Sequence, residues 1–153
     1  MKHYFVIVLE YFISLVSSDG PTGRFLYGFV RLRINDHPDK NIFEELKYAA
    51  LVREAHVYGF VKPVAKDGTQ SQHVGFGQRM MRMAETIAFH RHGLFKMAVI
   101  AGEGAREYYY RKLGYVEEGL YMTKLLHESP ESYIPRIKYK TLIRGHGIYR
   151  AIM

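Results

Sequence analysis

A mixed α/β domain with helices flanking one sheet is the fold class this sequence predicts, and three observations predict it. The first third of the chain is filled with β-rich runs. Two later segments carry apolar residues at helical spacing, and short apolar runs follow each of them. The predicted order is three strands, helix, strand, helix, strand.

The first strand is residues 4–16, rich in Val, Ile, Phe and Tyr. The turn-prone residues 17–23 follow, and residues 24–34 form the returning arm of an antiparallel hairpin. That arm alternates: Leu26, Gly28, Val30 and Leu32 share one face, Tyr27, Phe29, Arg31 and Arg33 the other. Residues 35–41 hold Pro38 and read as a loop, and the third strand is residues 50–58. Residues 59–73, with Gly59, Pro63 and Gly68, form a long connection. A helix over 77–92 places Met80, Ala84, Ile87 and Ala88 on one face, and Gly93 stops it. A strand at 96–101, a helix at 105–113 closed by Gly114 and a strand at 120–126 complete the domain, residues 1–126. Residues 127–153 are a basic C-terminal extension, holding Pro130, Pro135 and five Lys or Arg, and are expected to be partly ordered at best.

The chain has 153 residues, 22 Lys and Arg against 15 Asp and Glu, and no cysteine. Without thiolates it holds no disulfide, cysteine-ligated zinc site, cysteine nucleophile or iron–sulfur cluster of its own. The +7 formal charge favours a polyanionic partner. The longest apolar run, interrupted by Glu10, is shorter than the roughly 20 residues a bilayer requires, so no membrane is expected, and neither is a signal peptide. The expected location is intracellular: cytoplasmic, with the nucleus as a second compartment.

The most informative segment is Gln72, His73, Val74, Gly75, Phe76, Gly77, Gln78, between a strand with its loop and the start of a helix. Two glycines spaced G-x-G let the backbone approach a ligand, and free N–H groups at a helix N-terminus suit a pyrophosphate. It is neither a dinucleotide fingerprint nor a P-loop, lacking the third glycine of one and the Lys-Ser/Thr of the other. Q-x-x-G-x-G in this setting resembles motif A of the GNAT acetyltransferases. Residues 105–115, AREYYYRKLGY, resemble that superfamily's second cofactor segment. ALVREAHVYG, SQHVGFG, AETIA, KMAVIAGEGAREYYYRKLGY and GLYMTKLL, in order, resemble the acetyltransferase domain of the Elongator catalytic subunit, over residues 10–126.

The resemblance implies the GNAT fold, acetyl-CoA as substrate, and a part in tRNA wobble-uridine modification by binding or hydrolysing acetyl-CoA with tRNA as partner. A separate radical-SAM or Elongator subunit would supply the radical step, because the family's cysteine-bound cluster is absent here. The alternatives are a stand-alone lysine or histone N-acetyltransferase and an inactive RNA- or protein-binding module. By the same resemblance the strand residues Glu54, Ala55, His56 and Val57 lie along the cofactor. Glu54 and His56 are the candidate bases, since an amine acceptor must lose a proton, and their competing role is structural: Glu54 paired with an arginine, His56 packed.

Tyr110, four residues before Gly114, is the candidate proton donor to the thiolate and a cofactor contact, with Tyr109 the second candidate. Three consecutive tyrosines stand where the family shows two. Counting from Gly104 selects Tyr108 and Tyr109; counting back from Gly114 selects Tyr109 and Tyr110. Candidate RNA contacts are Arg31, Arg33, Arg79, Arg82 and the extension. His73, His90 and His92 do not make a metal site, since residues i and i+2 do not face each other on a helix.

Overall fold

The computed structural model describes residues 8–16, 25–58 and 75–127, together with the backbone of 138–142 and 148–152. Its strands are β1 (Val8–Val16), β2 (Leu26–Asn35), β3 (Ala49–Val57), β4 (Lys96–Val99), β5 (Val116–Glu118), β6 (Tyr121–Leu125), β7 (Lys138–Leu142) and β8 (Ile148–Ile152). The helices are α1 (Phe76–Thr86) and α2 (Glu103–Leu113). Every strand and helix predicted within the described residues is present, the ends differing by a few residues. Three elements were not predicted: β5, and the β7–β8 pair inside the basic extension.

All eight strands form one mixed sheet in the order β5-β6-β4-β3-β2-β1-β8-β7. β1 and β2 pair antiparallel, Ile13 opposite Val30, and β3 pairs antiparallel with β2. β3 and β4 are parallel, joined through α1, as a crossover connection requires. β8 pairs in parallel with β1, so the extension adds two strands to the hairpin edge.

The alternation read from β2 is real. Gly28, Val30, Leu32 and Ile34 are buried, while the residues between them are half-buried. With Tyr11, Ile13 and Leu15 of β1 they make the floor on which α1 packs Met80, Met81, Met83 and Ala84 and α2 packs Tyr109 and Leu113. Both helices therefore lie on one face of the sheet. A second, small cluster of Leu46, Ala49 and Ala98 sits on the opposite face. Met80, placed in the core by its helical spacing, is fully buried, as are Met81 and Met83.

α1 continues into a π-helical turn, Ile87–Arg91. Just ahead of it the Thr86 hydroxyl donates to the Arg82 carbonyl at 2.9 Å, a back-bond of the kind that bends helices. His92, at the end of the helix, is half-buried, and its Nε2 and the Tyr11 hydroxyl share a hydrogen bond of 2.8 Å. Burial, then the charge of Arg91, hold its imidazole below the usual histidine value.

Candidate functional site

The site begins where β3 and β4 separate. Their parallel ladder runs from Ala49–Lys96 to Val52–Val99, and its last bond is the Ile100 N–H to the Val52 carbonyl at 3.1 Å. β3 continues to Val57 while the chain turns away into α2, so beyond Val52 one edge of β3 has no strand beside it among the described residues. The Tyr58 N–H donates to the Tyr27 carbonyl at 2.8 Å. Because antiparallel pairing alternates, the main-chain groups of Tyr58, His56 and Glu54 turn toward β2, and those of Ala55 and Val57 turn toward the open edge.

A cleft of about 470 Å³ occupies this gap. Ala55 and Val57 line it from β3, Gly75, Gly77 and Gln78 from the start of α1, and Ala105, Tyr108, Tyr109 and Lys112 from α2. Met80 and Met81 supply an apolar floor. Gly75 caps α1 with φ of 105°, a left-handed conformation that an L side chain would strain. No side-chain hydrogen bond caps α1. Its first-turn amides, which have no partners within the helix, carry the positive end of the helix dipole into the cleft. A Cβ on Gly77 would lie 3.0 Å from the Tyr108 hydroxyl, so glycine there lets α2 reach the end of α1.

The tyrosine count is resolved in favour of Gly104. Successive helical residues are about 100° apart, so only one neighbouring pair of the three can face inward. Tyr108 and Tyr109 line the cleft; Tyr110 is 63% exposed and does not. The expectation for Tyr110, as proton donor and as cofactor contact, is corrected on that ground. Tyr109 is buried, its ring edge-on to Tyr115 at 5.7 Å. Burial raises the pKa of both: Tyr108 by burial alone, Tyr109 by burial and then by Tyr108. Each therefore keeps its phenolic proton at neutral pH.

Glu54 and His56 require a second correction. They alternate with Ala55 and Val57, so their side chains leave the sheet on the face away from the cleft. Glu54 lies 3.5 Å from Arg31, the arginine directly opposite on β2. His56 stacks on Phe29 at 6.1 Å and meets Tyr58 at 4.6 Å. Glu54 has the arginine partner expected of a structural role, His56 is exposed beside two aromatic rings, and neither lines the cleft.

Arg31 and Arg33 are likewise engaged. The Glu10 carboxylate accepts from Arg31 at 2.9 Å, from Arg33 at 2.9 Å and from Arg53 at 2.6 Å. Burial pushes its pKa up, but the three guanidinium hydrogen bonds outweigh this and take it down to about 2. Arg79 and Arg82 are exposed on α1, and no ion-pair partner holds either among the described residues. Phe76 packs on Tyr27 at 5.2 Å, so its side chain is structural. Gln72, His73 and Val74 lie outside the described residues.

The residues sequence reasoning missed are Val30, Met80, Met81, Ala105 and Lys112, with Tyr108 named only in the counting. The spacing 105, 108/109, 112 is a helical stripe, a signal that was available.

No family model matches the chain. It is 45% identical over 117 residues to Elongator complex protein 3 of Drosophila melanogaster, covering 76% of this chain and 21% of that protein. The human Elongator complex protein 3 is 45% identical over 114 residues, covering 74% and 20%. Among solved structures, the archaeal Methanocaldococcus infernus Elp3 with an N-terminal deletion aligns with a TM-score of 0.54 at 41% identity, over 67% of this chain and 24% of that one. Spanning about a fifth of the length of the curated relatives it matches, this chain is, over about three quarters of its own residues, a homologue of Elongator complex protein 3.

Proposed function

We propose that this chain is an acetyl-CoA-binding domain of acetyltransferase type that acts with tRNA in wobble-uridine modification. The observation that carries the cofactor is the open edge of β3 facing the first turn of α1 across an apolar-floored cleft. The residues fit the group. The Ala55 and Val57 main-chain groups would pair with the amides of the pantetheine arm, and the α1 amides at Phe76, Gly77 and Gln78 would hold the pyrophosphate. Gly75 has open space where a side chain would stand, and Lys112 adds a positive charge at the wall.

When bound, acetyl-CoA supplies an acetyl group activated as a thioester. Tyr108 and Tyr109 are the phenols that line the cleft, and a departing sulfur would take its proton from one of this pair. With Glu54 and His56 on the far face, the described part of the cleft has no carboxylate or imidazole base for an amine acceptor.

Calorimetric titration of the full chain with acetyl-CoA, then a hydrolysis assay with and without tRNA, tests this. Saturable binding with tRNA-stimulated release of free CoA is expected. Absence of binding by folded protein would refute the cofactor reading, and binding with hydrolysis indifferent to tRNA would refute the RNA part.

A further inference from the structure

Beside the α1 face that runs away from the cleft lies a second cavity, of about 370 Å³. Arg82, Thr86, Phe89 and His90 line it from α1 and its π turn, and Lys124 and His127 from β6 and the residues after it. Its size falls within the range of about 300–1,000 Å³ usual for small-ligand clefts. Glu85 forms part of the wall, holding the Tyr115 hydroxyl at 2.8 Å and Lys124 at 3.0 Å. The Arg82 guanidinium has no partner among the described residues.

This combination selects a ligand chemistry. Arg82 attracts an anion, whereas Lys124 is paired with the Glu85 carboxylate, whose remaining lone pairs accept N–H donors. Phe89 and the two imidazoles offer ring surfaces for a planar group. A nucleotide has all three complements: phosphate, base N–H groups and an aromatic plane.

Building on the RNA part of the function proposed above, we infer that this cavity binds a nucleotide of the RNA partner, with its phosphate at Arg82. The exposed Arg79, one turn nearer the α1 N-terminus, continues the track toward the acetyl-CoA cleft. Arg31 and Arg33, held by Glu10 on the opposite face of the sheet, are not part of it.

The test is fluorescence anisotropy of the full chain with a labelled RNA hairpin carrying a single-stranded uridine-containing loop, across a salt series. Arg82→Glu should weaken binding about tenfold or more, and Arg82→Ala should reduce the salt slope by about one. His90→Ala should weaken binding, because it removes a ring surface from the cavity wall. Arg33→Ala should leave affinity within about twofold. Calorimetry with acetyl-CoA on each variant confirms folding and keeps the two readings separate: intact acetyl-CoA binding with lost RNA binding is the expected pattern. RNA affinity and salt slope unchanged in Arg82→Glu would overturn the site. An equal loss for labelled polyglutamate would overturn RNA in favour of an acidic peptide. If the native chain binds acetyl-CoA but not the hairpin, both this site and the RNA part of the proposed function fail while the cofactor part stands.

Discussion

The helix-bearing face of the sheet and the opposite face hold similar residue types, arginines, aromatic rings and a carboxylate, yet differ in what those groups are paired with. On the opposite face, Glu10 gathers Arg31, Arg33 and Arg53, Glu54 adds to Arg31, and Phe12 stacks on Phe29 at 4.9 Å. Those charges and rings satisfy one another. On the helix side, Tyr108 opens onto the cleft, and Arg79 and Arg82 have no ion-pair partners among the described residues. A residue type suggests chemistry only when its local partners leave it free, and partners across a sheet are set by register.

The largest effect that can break this comparison lies in the tyrosine pair. Tyr108→Phe should lower acetyl-CoA hydrolysis about 100-fold, the scale of a lost general acid, with affinity little changed. Tyr110→Phe should match the native chain. The reverse result, read from CoA release, would mean that α2 presents its stripe one residue later to the cleft and would restore the count from Gly114.

Next in size is Glu10→Gln, which leaves three guanidinium groups without their anion. The expected loss is on the order of 2 kcal/mol in urea unfolding at neutral pH, discounted for partial exposure. The sign follows from a folded-state pKa of about 2 against an ordinary 4.5. The native chain's advantage over the variant should be complete above pH 4.5 and vanish as the pH falls through about 2. An advantage that persists at the acid end would mean the carboxylate is not what holds the cluster.

Smallest is Glu54→Gln. Its ion pair with Arg31 is long and exposed, so stability should fall by no more than about 0.5 kcal/mol. Acetyl-CoA affinity and hydrolysis should stay at native levels. A tenfold or greater loss of hydrolysis with stability intact would put Glu54 back among the bases.

Much of the fold was legible because each strand and helix states its period locally. Gly28, Val30 and Leu32 alternate, Met80, Ala84, Ile87 and Ala88 repeat helically, and Gly93 and Gly114 mark helix ends. The glycines of the α1 cradle were legible for a related reason, since the left-handed conformation at Gly75 favours glycine and a side chain at Gly77 would crowd the Tyr108 hydroxyl. The face of β3 that meets the cleft was not. Glu54, Ala55, His56 and Val57 divide between two faces, and which pair lies under α1 depends on the ladder to β2 and the bulge that places Arg53 beside Glu10. The tyrosine choice failed for a rotational reason: one additional helical residue, about 100°, separates Tyr109–Tyr110 from Tyr108–Tyr109. β5 is three residues long, too short to show a period, and the extension's strands follow a proline-containing basic stretch that gave no β signal.

The central claim, that acetyl-CoA lies on the helix-bearing side against the open edge of β3, is tested most directly by amide nuclear magnetic resonance of the isotopically labelled chain titrated with acetyl-CoA. The account predicts saturating shifts at Phe76, Gly77 and Gln78 and at Ala55 and Val57, with Phe12, Phe29 and Arg33 unmoved. Shifts centred on Phe12, Phe29 and Arg33, with the Phe76–Gln78 amides unmoved, would contradict it.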